Sequence, residues 1–139
     1  MRTLLDSSVL VAALLPHESD HLASAATLRE ADRVIHSHAL NETFSTLTGG
    51  SLGYRLDADV AAQLIREKVI PHAEVIALGA DEISDGQSEA RARGVRGGAI
   101  HDFMHLVAAK RAGCAALSTL DTSDFLSFRR KGDPEIQHP

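Results

Sequence analysis

Short apolar runs that alternate with helix-length segments constrain this chain more than any other feature of its sequence. Thr3-Leu4-Leu5, Val34-Ile35, Val75–Leu78 and Ala115–Ser118 read as strands. After the first of these, Ser7 and Ser8 offer N-cap chemistry for a helix through Val9–Leu15, which Pro16 limits. Ser19 or Asp20 starts a second helix running to Ala31, and Ser37 a third, in which Leu40, Phe44 and Leu47 fall at i, i+4 and i+7 before Gly49-Gly50. Asp57 opens a fourth, with Val60, Ala61, Leu64 and Ile65 on one face. Asp81–Arg93, closed by Gly94, and Ile100–Ala112, with Gly113 as its stop, supply two more. A β-α series of this kind predicts a parallel sheet between helices, the three-layer α/β class. Right-handed crossovers then gather the carboxyl ends of the strands on one side of the sheet.

At 139 residues the chain is expected to form one domain, with a core large enough to need no covalent staples. The polar segment Arg130–Pro139 reads as a loose tail or a short edge strand. The single cysteine, Cys114, excludes an internal disulfide and a Cys-rich zinc site, and is expected to pack in the interior. The longest apolar run, Val9–Leu15, is too short for a membrane span, which needs about 20 residues. Asp6 just before this run and Pro16-His17-Glu18 after it fit a cleaved leader poorly, so a cytoplasmic protein is expected. The net charge of −5 excludes a strongly basic nucleic-acid coat. It does not exclude a nuclease, whose site can itself be acidic and filled by cations.

The acids point to the site. Ligands of open α/β sheets bind outside the carboxyl ends of the strands. Asp6 directly follows the first strand, and Asp121 the last clear one, with Asp124 three residues on. Asp102 lies in the first turn of the helix leading to that last strand, about 40° from Leu106 on a helical wheel and so at the edge of the buried stripe. Each acid alone has an ordinary role: Asp6 as an N-cap, Asp102 as a partner of the helix dipole, Asp121 and Asp124 as turn or cap residues. Glu42 lies far from the stripe of Leu40, Phe44 and Leu47, and periodicity assigns it to solvent. Together the acids say more, because like charges 4 Å apart near a protein surface repel by about 4 kcal/mol. A rim of carboxylates persists best around a divalent cation, and oxygen donors suit Mg²⁺ or Mn²⁺.

Four segments then match a family in order and spacing along nearly the whole chain. Leu4-Leu5-Asp6-Ser7-Ser8-Val9-Leu10, Ala39-Leu40-Asn41-Glu42-Thr43-Phe44, Ile100–Ala109 around Asp102, and Leu117-Ser118-Thr119-Leu120-Asp121-Thr122-Ser123-Asp124-Phe125 resemble the motifs of PIN-domain ribonucleases. The likeness is in particular to the VapC toxins of VapBC toxin–antitoxin pairs. The resemblance implies a PIN-like fold and an acidic quartet of Asp6, Glu42, Asp102 and Asp121 that binds metal and carries catalysis. It implies an endoribonuclease dependent on Mg²⁺ or Mn²⁺, a small VapB-like antitoxin and a homodimer. Asp6 and Asp102 are first choice as direct ligands, with Glu42 and Asp121 completing the shell. Ser8 sits where the family places a small polar residue, Thr119 is positioned to support Asp121, and Asp124 reads as an N-cap before Phe125.

Other groups fill out the expectation. Arg91, Arg93 and Arg96 stand in a glycine-rich stretch before Asp102 and are candidates for phosphate contact, with a solvated face as the ordinary alternative. His101 and His105 are spaced i, i+4 but lack the glutamate of a zinc-protease motif, and read as helix-surface groups or supports behind the ligands. Val11, Leu14 and Leu15 are candidates for an apolar groove that takes the antitoxin, although the protein's own core claims at least half of them. Two rival functions are a degenerate PIN module that binds RNA without cutting it, and a phosphatase-like α/β enzyme. All four acids are present against the first, and Asp6-Ser7-Ser8 lacks the second aspartate that the other requires.

Overall fold

The computed structural model describes residues 1–139. Five parallel strands, β1 (Thr3–Leu5), β2 (Arg33–His36), β3 (Glu74–Ile76), β4 (Ala116–Ser118) and β5 (Glu135–Gln137), form one sheet in the order β3-β2-β1-β4-β5. Seven α-helices connect them: α1 (Ser7–Leu14), α2 (His21–Arg29), α3 (Ser37–Gly49), α4 (Ala58–Lys68), α5 (Ala80–Arg93), α6 (Ala99–Arg111) and α7 (Thr122–Phe128). The expected α/β sandwich is therefore present. The tail resolves as the edge strand β5, which pairs with β4 from Ala116↔Glu135 to Ser118↔Gln137. Gly94 closes α5 at φ +70°, the left-handed cap that glycine adopts without strain.

The two-residue period of the strands divides the core. Leu5 and Ile35 face a cluster with Leu10, Leu14 and Leu28 of α1 and α2, Leu47 of α3 and Ile65 of α4. Their neighbours Leu4 and Val34, with Leu117, face the opposite cluster, where Phe103 and Leu106 of α6 meet Phe125 and Phe128 of α7. Cys114 is buried in that second cluster. Val11, Leu14 and Leu15 all belong to the first. The core thus takes the residues considered for an antitoxin groove; Leu14 also borders a surface cleft beside Ala25, Leu28 and Leu64, and Val11 lines another beside Ser8, Leu52 and Asp121. No helix is long and apolar enough to cross a membrane.

The sheet grows outward from β1 in both directions. The chain runs β1-β2-β3 one way, then returns across the sheet to lay β4 and β5 on the other side of β1. Between β1 and β4 the direction of winding reverses, and at such a switch point the outgoing loops diverge and leave a crevice. Asp6 ends β1, and the segment carrying Asp121 leaves β4, so both expected acids flank that crevice.

Candidate active site

Asp6 is the most firmly held of the acids. Its backbone N–H extends the β1–β4 ladder to the Ser118 carbonyl at 3.0 Å, which fixes the Cα at the sheet edge. The side chain is both helix cap and site member. Oδ1 accepts from the Ser7 N–H at 2.7 Å, while Oδ2 accepts from the hydroxyls of Ser8 at 2.9 Å and Thr119 at 2.8 Å. Each hydroxyl also accepts a backbone N–H, Ser8 from Leu120 across the crevice at 3.0 Å and Thr119 from Asp121 within its own loop at 3.0 Å. Ser8 and Thr119 therefore lock the Asp6 carboxylate to the loop after β4. Thr119 serves the Asp6 side chain and only the backbone of Asp121, where sequence assigned it to Asp121 alone.

Glu42 does not lie in solvent as its helical wheel predicts. Its carboxylate is half-buried and accepts a hydrogen bond from His105 Nε2 at 2.5 Å. The wheel finds the core stripe of α3, but the amino-terminal half of this helix borders the rim, so a position off the stripe meets α6. His105 itself is fully buried, and its Nε2 is also 3.9 Å from Asp6 Oδ1. A helix-surface reading of His105 is thus overturned, and its role is support of the acids from behind. On the far side His105 Nδ1 meets His36 Nδ1 at 3.2 Å. Burial, then the charge of His105 and of His38, lowers His36 to about 4. His36 is thus held neutral, and His105, with the Glu42 carboxylate at its Nε2, is the ring of the pair that takes a charge more readily. Burial opposes that charge, but the hydrogen bond and charge of Glu42, with Asp6 and Asp102, raise the His105 pKa above its ordinary value. Glu42 responds in kind. Burial would raise it, yet His105, with His38 and His101, holds it below the usual carboxylate range.

Asp102, half-buried at the start of α6, belongs to the same electrostatic cluster. Burial first, then Asp6, pushes its carboxyl up to about 6, with Glu42 and Asp121 adding and His105 opposing. Asp121 is the residue before α7 but makes no side-chain cap, which leaves its exposed carboxylate free. Burial, Asp6 and Asp124 raise its pKa. The cap position of α7 thus falls on Asp121 and not on Asp124, which sits in the helix's first turn and is exposed.

One ligand atom each from Asp6, Glu42 and His105 can be chosen so that all lie within 4.8 Å of one another. The donor set fits a divalent cation: carboxylate oxygens dominate it, Asp6 is rigid, and Asp102 sits in an excess of negative charge that a cation would relieve. The three arginines divide. Arg93 forms an ion pair with the buried Asp133 at 2.5 Å, donates to the Phe128 carbonyl at 3.0 Å and lies over the Phe103 ring. It holds α5 to the carboxyl-terminal segment and is withdrawn as a phosphate contact. Arg91 and Arg96 remain exposed, outside the hydrogen-bonded cluster of acids.

His36 is the member that sequence reasoning did not place in the site, and His105 is the one it left between helix surface and support behind the ligands. A signal existed in α6, where Phe103, Met104 and Leu106 around His105 are all buried. A histidine inside an almost fully apolar stretch needs a buried partner, and a carboxylate is the strongest one.

A search of curated proteins by sequence finds no match. Among solved structures, VapC20 of Mycobacterium tuberculosis, a sarcin–ricin loop cleaving toxin, is similar with a TM-score of 0.71 at 17% identity, over 95% of this chain and 99% of that one. The DNA-bound VapBC of Salmonella typhimurium gives a TM-score of 0.70 at 17% identity, over 99% of this chain and 98% of that one. FitAcB of Neisseria gonorrhoeae gives 0.69 at 17% identity, over 99% and 97%. At this identity the likenesses speak to the fold. The family comes from the sequence model of the PIN domain, which matches residues 3–132, a span that contains every acid of the rim; the chain belongs to the PIN domain family.

Proposed function

We propose that this PIN domain is the toxin of a toxin–antitoxin pair, an endoribonuclease dependent on Mg²⁺ or Mn²⁺, with Asp6, Glu42, Asp102 and Asp121 as its metal-binding and catalytic acids. The observation that carries this reading is the convergence of these acids at the switch point, with charge crowding that holds Asp102 near a pKa of about 6. Such crowding destabilises the apo fold and is retained where it serves chemistry. The cation, when bound, supplies activated water and offsets charge on the transferring phosphoryl group. Asp6 contributes a rigid carboxylate, since Ser7, Ser8 and Thr119 fix both its oxygens. His105 positions Glu42, and Asp102 becomes an available anion as pH rises through about 6. Asp121, exposed at the mouth, completes the shell or faces the leaving oxygen.

The proposed partners are RNA, a small VapB-like antitoxin and a second copy of the chain, acting in the cytoplasm. The antitoxin draws support from solved relatives whose structures are toxin–antitoxin complexes, among them the VapBC of Salmonella typhimurium. An acidic pocket also suits blockade by a partner arginine, which pairs bidentately with carboxylates.

The test is cleavage of RNA by the purified full chain. Activity should require Mg²⁺ or Mn²⁺ and vanish in EDTA. Asp6→Asn should lose about 100-fold or more in rate, the scale of a lost charge-positioning group, with an unchanged circular dichroism spectrum. Full cleavage by Asp6→Asn, or by wild type in EDTA, would overturn the assignment.

A further inference from the structure

Beside the acidic rim lies a second cavity of about 480 Å³, between the amino-terminal end of α3, the middle of α5 and the start of α6. Its volume falls within the range of about 300–1,000 Å³ typical of small-ligand sites. One wall carries the imidazoles of His38 and His101, stacked with centroids 5.1 Å apart and planes 18° from parallel. Apolar side chains, among them Ile83 and Met104, contribute a second surface, and the carboxamides of Asn41 and Gln87 border the same space. None of the four acids lines the cavity, but residues of its wall adjoin them. Asn41 directly precedes Glu42 and His101 directly precedes Asp102, while both His38 and His101 act on the charge of Glu42.

We propose that this cavity is a nucleobase subsite, which holds an unstacked base of the RNA next to the phosphodiester at the acidic rim. The proposal rests on the ribonuclease reading and adds the source of its sequence preference. A flat heteroaromatic ring is the ligand whose chemistry matches all three features. It joins a stack of two parallel imidazoles, it lies against apolar side chains, and its edge offers paired donors and acceptors to carboxamides. Asn and Gln each present one donor group and one acceptor, the complement of a base edge. No arginine or lysine lines the cavity, so a phosphate is a poor occupant. Phe44 and Tyr54 pack against the core cluster of α1–α4, which leaves the imidazole pair as the aromatic surface at this cavity.

The experiment has two arms, both on the full chain. In the first, AMP, GMP, CMP and UMP are titrated in EDTA while backbone and histidine NMR signals are followed. The expected result is that one or two nucleotides shift the signals of His38, His101 and Gln87, and that Asn41→Ala and Gln87→Ala each weaken binding by roughly three- to tenfold, the worth of a neutral hydrogen bond. In the second, a random-sequence RNA pool is cut with Mn²⁺ and the ends are sequenced. The wild type should show a base preference at one position beside the cut, and the same two variants should relax it while cleavage continues. Asn41, Gln87 and His101 are exposed, so their alanine variants should fold. Shifts that avoid these residues, or an unchanged preference in both variants, would overturn the subsite and leave the ribonuclease standing. Nucleotide binding that the variants weaken, together with RNA left uncut, would keep the base-binding cavity and overturn the ribonuclease reading.

Discussion

Glu42 is where periodicity and family resemblance disagree, and its pairing with His105 makes the difference measurable. The pair is charged on both sides between the lowered pKa of Glu42 and the raised pKa of His105. The Glu42 contribution to stability is present above its ordinary 4.5 and is lost as pH falls through its lowered value. The His105 contribution is present below 6.5 and is lost as pH rises through its raised value. Glu42→Gln keeps the shape and removes the counter-charge, so burial then dominates and His105 should lose its proton near neutral pH. Histidine NMR titration should show the His105 pKa falling, and RNA cleavage should fall about 100-fold. A protonated His105 in Glu42→Gln with wild-type cleavage would mean that Glu42 is only a solvated neighbour. The contrast also shows what sequence can carry. Asp6 and Asp121 are legible because a residue just past a strand has one possible place, the sheet rim. Glu42 is legible only through its motif, since a helical wheel knows the core but not the neighbouring helix. For His105 a supporting role is legible but its partners are not, because they lie 63 and 99 residues away in sequence.

The junction of α5, α6 and the carboxyl-terminal segment rests on one carboxylate. Asp133 is buried and receives Arg93 from the end of α5 at 2.5 Å, Lys110 from α6 at 2.9 Å and the Arg130 N–H at 2.9 Å. Burial alone would raise its pKa, but these donors hold it down to about 2. A depressed carboxylate stabilises the fold above its unfolded value, near 3.8, and loses that contribution as pH falls toward 2. Asp133→Asn should therefore cost about 2 kcal/mol at pH 7 by urea unfolding, and the deficit should close as pH approaches 2. Cleavage per folded molecule should be retained, because Asp133 pairs with Lys110 in the last turn of α6 whereas Asp102 stands in its first. Equal loss of stability at every pH would show that shape and not charge sets the cost. The limits of α4, α5 and α6 are readable to within a residue or two where Asp57, Gly94 and Gly113 act locally as cap or stop signals, whereas the cap position of α7 falls at Asp121, three residues before the expected cap at Asp124. Glu135-Ile136-Gln137 has too little apolar content to separate tail from strand; β5 is held by its ladder to β4 and by Arg129 on Glu135 at 2.7 Å. Backbone pairing of an edge strand leaves almost no trace in side-chain pattern.

An acidic molecule that acts on a polyanion needs some way to limit repulsion. The chain carries −5, and the acidic rim lies where the scissile phosphate must sit. Arg93 is committed to Asp133, so of the three arginines near Asp102 only Arg91 and Arg96 can meet flanking phosphates. This count sets a salt dependence. Each phosphate contact on a single strand contributes a slope of about −0.7 in log K against log salt, so two contacts give about −1.4. Cleavage-deficient Asp6→Asn, bound to a short single-stranded RNA in EDTA and followed by fluorescence anisotropy, should show such a shallow slope. Arg91→Ala and Arg96→Ala should each flatten it by about 0.7, whatever the RNA sequence. Unchanged slopes in both variants would remove these arginines from the RNA path. A slope near −4 would require about six phosphate contacts, more than one copy of this acidic chain presents near its rim, and would place the remaining positive charge on a second copy or another partner. Because the chain's own electrostatics supply so little attraction, most of its discrimination among RNAs must come from short-range contacts, and the base cavity beside Glu42 is the place where its surface offers them.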